Sequence, residues 1–152
     1  RTTMGDIAAA AGIARPTLYL SFPQKQDIYG AVIDMLVQQT LERLDRALTD
    51  IPDPADRLSH ACLTWGLEGF DLVRANPDAK DLFDLSYEPV RRGHALFRQM
   101  LSDLLAGGGC AEPDRNARML SAAIKGIKAV AADRDEVRDM IVTLCDAVAR
   151  RG

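Results

Sequence analysis

The sequence lacks any apolar run of the roughly 18 residues that a membrane-spanning helix needs. It also lacks the charged and then apolar N-terminal pattern of a secretory signal, so we expect a cytoplasmic protein. Its cysteines, Cys62, Cys110 and Cys145, are far apart and show no CxxC spacing. An odd, scattered set of cysteines indicates neither a disulfide framework nor a zinc site. Because only His60 and His94 could add imidazole ligands, we predict no metal site and no cofactor.

Signals of catalysis are equally scarce. The residues suggest no Ser/His/Asp set, and the glycine run at 107–109 does not follow a strand as a phosphate-binding loop does. We therefore predict that the protein is not an enzyme. Period-two alternation of β-branched residues, which marks strands, is also absent. The chain is nevertheless 47% hydrophobic and 27% charged, which is typical of a soluble globular protein with a core.

Helix start and stop signals divide the 152 residues into successive helices and predict an all-α fold. Four of these helices end near a proline or a glycine, namely Gly12, Pro52, Pro77 and Gly107. The predicted helices cover residues 4–11, 15–20, 24–50, 55–75, 78–86, 88–106, 113–132 and 135–150.

The segment DIAAAAGIARPTLYLSF, residues 6–22, contains two short helices joined by a tight corner. Gly12 permits the corner because glycine adopts a left-handed conformation without strain, and Pro16 is tolerated in a first helical turn. Such a pair forms a helix-turn-helix, whose second helix can enter the major groove of duplex DNA. A helical corner with no DNA contact, as in any all-α protein, is the alternative. The residues predicted to face inward are Ile7, Ile13, Leu18 and Phe22.

Charge is distributed unevenly along the chain. Residues 1–25 carry Arg1, Arg15 and Lys25 against Asp6, a net charge of +2, which leaves −5 on the rest of a chain whose total is −3. A basic tip on an acidic body is compatible with a nucleic-acid-binding end, although three cations also fit an ordinary surface.

The stretch TTMGDIAAAAGIARPTLYLSFPQKQDIYGAV, residues 2–32, resembles the DNA-binding region of the TetR family of transcriptional regulators. The family has a further helix before this stretch, and we expect the natural protein to carry that helix ahead of Arg1. The chain departs from the family pattern at Ala14, where a capping residue is common, and at Leu20, where a polar or aromatic residue is common. The matching positions are Thr3, Asp6, Ile7, Ala8, Ala11, Gly12, Ile13, Thr17, Leu18, Tyr19, Phe22 and Lys25.

The resemblance implies DNA contacts at particular residues. Thr3 and Lys25 would contact phosphates, which fix the register, and the start of the second helix would lie against base edges, which select the sequence. Packing against the corner is the alternative for Tyr19, and a solvated side chain is the alternative for Lys25. The predicted DNA-binding residues are Thr3, Arg15, Pro16, Thr17, Tyr19, Leu20 and Lys25.

The resemblance also implies that the body encloses a pocket for a small, largely apolar ligand. Pockets of this kind combine apolar walls with a few polar groups. Each aromatic residue could instead belong to the core, and His94 could be a hydrogen-bonded structural histidine. Glu68 and Asp71 could attract a cationic ligand or form a solvated face. The predicted lining residues are Trp65, Phe70, Phe83, Tyr87, His94 and Phe97.

The last two helices carry apolar and small residues over broad faces. The family forms homodimers through such helices, which bundle around a two-fold axis, and full burial within one subunit is the alternative. A dimer would present two recognition helices to a palindromic operator. The predicted dimer residues are Ala122, Ala123, Gly126, Ile127, Val130, Ile141, Leu144 and Val148.

Together these features predict a DNA-binding region over 1–30 and a ligand-binding and dimerisation domain over 31–152. The resemblance implies a transcriptional regulator, of the repressor type, whose operator affinity changes when a ligand shifts the helix predicted at 24–50. A helical small-molecule-binding protein or an enzyme without DNA binding is the alternative.

Overall fold

The computed structural model describes residues 2–77 and 86–149, and these residues form seven helices and no strand, which confirms the predicted all-α fold. The helix predicted over 78–86 lies outside the described residues apart from Ser86, and Phe83 lies outside them as well. None of the described helices is long and apolar enough to cross a membrane. The helices are α1 (Met4–Ala10), α2 (Arg15–Ser21), α3 (Lys25–Thr49), α4 (Pro54–Ala75), α5 (Glu88–Gly107), α6 (Pro113–Val130) and α7 (Arg134–Ala149).

The corner between α1 and α2 is closed by hydrogen bonds that the sequence specifies. Thr3 caps α1 through a reciprocal pair of bonds with Asp6. Gly12 follows the helix with a φ of 68°, and its N–H donates to the Ala9 carbonyl at 3.2 Å. The next N–H, that of Ile13, reaches the Ala8 carbonyl at 3.1 Å. This is the paired bonding of a Schellman motif, and it turns the chain into α2.

The two short helices share a small core of their own. Met4, Ala8 and Leu18 are buried there, and Ile7 and Phe22 are half-buried against them. The prediction that Ile13 faces inward was wrong, because its side chain is 41% exposed. Ile13 lies in the turn, and the helical position that such a turn residue usually covers is Ala8, whose methyl group offers little apolar area.

The main core lies between α3, α4, α5, α6 and α7. In it α4 packs against α7, and α5 packs against α6 and α3. Two predicted dimer residues, Ile127 and Ile141, are buried in this core, and Ile141 is 0% exposed. Ile141 fits there because α4 has Gly66 opposite it, where a Cβ atom would stand 2.2 Å from Cδ1 of Ile141. Full burial within one subunit is therefore the correct interpretation for both isoleucines.

Helix α3 contacts both cores. Its residue Ile28 packs against the small N-terminal core, whereas Leu44 and Leu48 are buried in the main core. At 25 residues, α3 is about 37 Å long. The helix therefore connects the main core with the N-terminal corner.

Candidate functional site: the N-terminal corner and the central cleft

The outer face of α2 is open to solvent. Of its seven residues only Leu18 is buried, and the other six are exposed. Leu20 is 86% exposed, which is unusual for so large an apolar side chain. Five of the predicted DNA-binding residues share this helix: Arg15, Pro16, Thr17, Tyr19 and Leu20.

The two predicted phosphate contacts, Thr3 and Lys25, lie at the starts of α1 and α3. The Thr3 hydroxyl donates to the Asp6 carboxylate at 2.8 Å and accepts the Asp6 N–H at 3.2 Å. The hydrogen bond from the Thr3 N–H is the main cause that lowers the pKa of Asp6. The Lys25 ammonium donates to the Thr2 carbonyl at 2.6 Å and lies 5.2 Å from the centre of the Tyr29 ring. Lys25 thus ties α3 to the residues just before α1. An ammonium has three protons to donate, so this bond leaves protons for a further acceptor.

A half-open cleft of about 220 Å³ lies between α3, α4 and α5, with Lys128 reaching it from α6. Two predicted lining residues, Trp65 and His94, are in its wall, with their rings edge to face at a centroid distance of 5.6 Å. The other lining residues are Ile33, Leu36, Val37, Thr40, Glu68, Gly69, Leu72, Val73 and Val90.

Phe70, Tyr87 and Phe97, the other predicted ligand residues that the structure describes, are not among those that line this cleft. Phe97 is 0% exposed and stacks on Trp65 at 4.4 Å, so it supports the wall from within the core. Phe70 is buried, with the Arg74 guanidinium 5.1 Å from its ring centre. Tyr87 lies just before α5 and donates its hydroxyl hydrogen to the Gln26 carbonyl of α3 at 2.7 Å. Apolar periodicity alone does not separate a wall residue from the core residue behind it.

The polar groups of the cleft include one that the sequence reasoning missed, Lys128. Burial is the main cause that lowers the pKa of Lys128 to about 8, followed by the charge of Lys125. Burial also lowers the pKa of His94 to about 4, assisted by Lys128, Lys125 and Arg98. At neutral pH the histidine is therefore uncharged and the lysine is mostly protonated. The sequence did hold a clue to this lysine, because Lys128 lies four residues after the buried Ile124 and therefore on the same side of the helix.

The exposed face of α6 carries the remaining predicted dimer residues of that helix. Ala122, Gly126 and Val130 are exposed, and Ala123 is half-buried. Val130 is 72% exposed. On α7, Leu144 and Val148 are half-buried against the main core.

Within the described ranges no group of three or more His, Cys, Asp or Glu side chains is arranged to hold a metal ion.

Comparison with known proteins agrees with the fold and with the N-terminal corner. Residues 1–32 match the family model for "Bacterial regulatory proteins, tetR family". The HTH-type transcriptional regulator EthR of Mycolicibacterium smegmatis is 38% identical over 53 residues, which are 34% of this chain and 24% of that protein. The aligned part therefore spans about a quarter of that relative.

The fold is shared with a transcriptional regulator of the TetR/AcrR family from Thermobifida fusca YX-ER1, with a TM-score of 0.70 and 23% identity. This likeness covers 95% of this chain and 85% of that one, and it shows the fold alone. The sequence of the N-terminal corner is thus similar to the TetR family of bacterial regulatory proteins, and the fold of the whole chain is similar to that of a TetR/AcrR regulator.

Proposed function

We propose that this protein is a DNA-binding transcriptional repressor whose operator affinity is controlled by a small molecule in the central cleft. The observation that carries the proposal is the exposure of six of the seven residues of α2 within a segment that matches the family model. A helix with one buried anchor and an open outer face can enter a major groove about 12 Å wide.

The outer residues of α2 supply the chemistry that base recognition needs. Arg15 can donate two hydrogen bonds to the O6 and N7 atoms of a guanine, and the Pro16 ring or Leu20 can pack against a thymine methyl group. Thr17 and Tyr19 would contact bases or the backbone, and Lys25 would pair with a phosphate. A phosphate contact by Thr3 requires its hydroxyl hydrogen to turn away from Asp6.

The protein would act as a homodimer on a palindromic operator. The exposed face of α6 is the proposed contact, with Ala122, Ala123, Gly126 and Val130 close to the two-fold axis. Leu144 and Val148 on α7 would complete it. Small residues allow helices of two subunits to approach closely, and a two-fold axis places two α2 helices on one duplex.

Helix α3 is the proposed link between ligand and DNA. It lines the cleft through Ile33, Val37 and Thr40, and its first turns pack on the N-terminal core through Ile28. It is also held to α5, since Arg92 pairs with both Asp34 of α3 and Glu88 of α5. A ligand that favours a shifted position of α3 would favour the state that fits DNA poorly, so DNA affinity would fall.

Selection from random-sequence duplexes, followed by anisotropy titration of the full chain at several salt concentrations, tests the DNA-binding step. We expect a palindromic site and an affinity that falls steeply with salt. Arg15→Ala should cost about 1–3 kcal/mol of binding free energy. Arg46→Ala, which removes the same charge from the exposed far end of α3, should change the affinity little.

Absence of salt-dependent binding, or an equal loss in both variants, would contradict the proposal. The remaining candidate would then be a helical small-molecule-binding protein, which the cleft alone favours.

A further inference from the structure

We infer that the cleft binds an organic anion, a molecule with a small apolar body and one acidic head group that pairs with the ammonium of Lys128. The inference rests on the proposed role of the cleft as the effector site and adds the chemical class of the effector. Its support comes from the path of the Lys128 side chain, the pairing of the other charges, and the apolar wall.

The Lys128 side chain reaches the cleft across a glycine of α4. A Cβ atom at Gly69 would stand 2.8 Å from Nζ of Lys128 and 3.5 Å from its Cδ. Any larger residue at position 69 would therefore push the lysine aside. The lysine starts from the buried face of α6, close to Ile124, so most of its length is shielded from water. The charged end thus reaches a largely apolar space.

The other charged group in the lining already has partners. Both Glu68 carboxylate oxygens lie 2.6 Å from the Arg43 guanidinium, and the Thr40 hydroxyl donates to one of them at 2.9 Å. Lys128, in contrast, makes no hydrogen bond or ion pair of its own with the residues that the structure describes. Burying a charged group without a partner is costly, and an anionic ligand would remove that cost.

The groups that surround Lys128 strengthen the preference for an anion. Lys125 lies one turn away on α6, and Arg98 and His94 face the same region from α5. The histidine is uncharged at neutral pH, so it can donate one hydrogen bond to an acidic head group. A cationic ligand would meet two lysines and would find Glu68 already held by Arg43.

The rest of the wall selects the body of the ligand. Leu36, Leu72 and Val90, with their neighbours, offer an aliphatic surface, and the ring of Trp65 forms one side. The volume of about 220 Å³ is below the ~300–1,000 Å³ of pockets for drug-sized ligands. A medium-chain carboxylate fits both the aliphatic wall and the small volume.

Binding of such a ligand should depend on pH in a defined direction. The pKa of Lys128 is about 8 in the free protein, and an anion beside it would raise this value. The anion therefore binds best below pH 8 and loses affinity as the pH rises through 8. His94, with a pKa of about 4, does not change its charge in this range.

Octanoate, 1-octanol and octylamine, titrated separately into the full chain, test the inference. Trp65 is the only tryptophan of the sequence and lies in the wall, so its fluorescence reports occupancy, and calorimetry checks the constants. We expect octanoate to bind more tightly than octanol, and Lys128→Met to weaken octanoate by about 10- to 100-fold while octanol changes little. Arg118→Met is the control on the exposed side of α6, away from the residues that line the cleft, and it should have a small effect.

Gly69→Ala is a second variant, which retains Lys128 but displaces its ammonium group. It should weaken octanoate without reducing the affinity for octanol. The inference is overturned if octanol or octylamine binds as tightly as octanoate, if Lys128→Met leaves octanoate unchanged, or if none of the three probes binds. Because these titrations contain no DNA, their failure is distinguishable from failure of DNA binding.

Discussion

Replacing Gly66 with alanine should destabilise the protein even though alanine is the better helix former. A Cβ atom at this position would stand 2.2 Å from Cδ1 of Ile141, far inside van der Waals contact. Ile141 is 0% exposed, so its side chain has no solvent-filled space into which it can rotate. The conflict has to be absorbed by an unfavourable rotamer of Ile141 or by movement of α4 against α7.

The magnitude follows from two opposing terms. Alanine instead of glycine within a helix stabilises by about 0.5–1 kcal/mol. Overpacking of a closed core costs about 1–3 kcal/mol. We therefore expect Gly66→Ala to lower the free energy of unfolding by about 1 kcal/mol.

Ile141→Val, combined with Gly66→Ala, isolates the contact. The single Ile141→Val variant should lose about 0.5–1.5 kcal/mol. It removes the clashing Cδ1, and the next atoms, Cγ2 of Ile124 and Cγ1 of position 141, lie at ordinary contact distances of 3.5 and 3.7 Å. The double variant should consequently be no less stable than Ile141→Val alone.

Urea unfolding followed by circular dichroism, at one protein concentration for all variants, measures these differences. Gly107→Ala is the control, because no atom lies within 4 Å of its Cβ position, and it should be neutral or stabilising. A stabilising Gly66→Ala, or additive effects in the double variant, would refute the assignment of Ile141 to the core of one subunit.

Three further predictions concern other parts of the molecule. Gly12→Ala has free space but a φ of 68°, so it should cost about 1–2 kcal/mol and speed amide hydrogen exchange in α1 and α2. Val130→Asp should yield a folded monomer in sedimentation if α6 forms the dimer, whereas Val32→Asp on α3 should stay dimeric; an unchanged dimer in both would exclude α6. Between pH 6.5 and about 4, His94 is protonated in the unfolded chain but not in the native protein, so the free energy of unfolding should decrease as the pH falls. His94→Gln should reduce this pH dependence in urea titrations.

The helix boundaries could be predicted because proline and glycine punctuate this sequence. α4 begins at Pro54, α5 ends at Gly107, the first of three glycines, and α6 begins at Pro113, each close to its predicted limit. The capping box at Thr3 and the left-handed Gly12 are local features whose hydrogen bonds need no tertiary information.

The faces of the later helices could not be assigned in the same way. Ile127 and Ile141 lie in a core, and Val130 lies in solvent, although all three belong to apolar stretches. Periodicity shows that a helix has an apolar side. Where a helix has two apolar sides, periodicity does not show which of them packs in the core of the same subunit. The same limit placed Phe97 in the cleft wall, when it lies one layer behind Trp65.

Several glycines within the helices lie where a neighbouring side chain approaches the helix closely. Each costs about 0.5–1 kcal/mol relative to alanine. For three of them the structure shows a neighbour that would collide with a Cβ atom: Ile141 over Gly66, Lys128 over Gly69, and Val37 over Gly93 at 2.7 Å. Gly126, in the middle of α6, has no atom within 4 Å of its Cβ position. No contact within the described part of the chain offsets the cost of this glycine. A helix of a second subunit that packed closely on this exposed face would offset it. Gly126 therefore supports the proposed dimer.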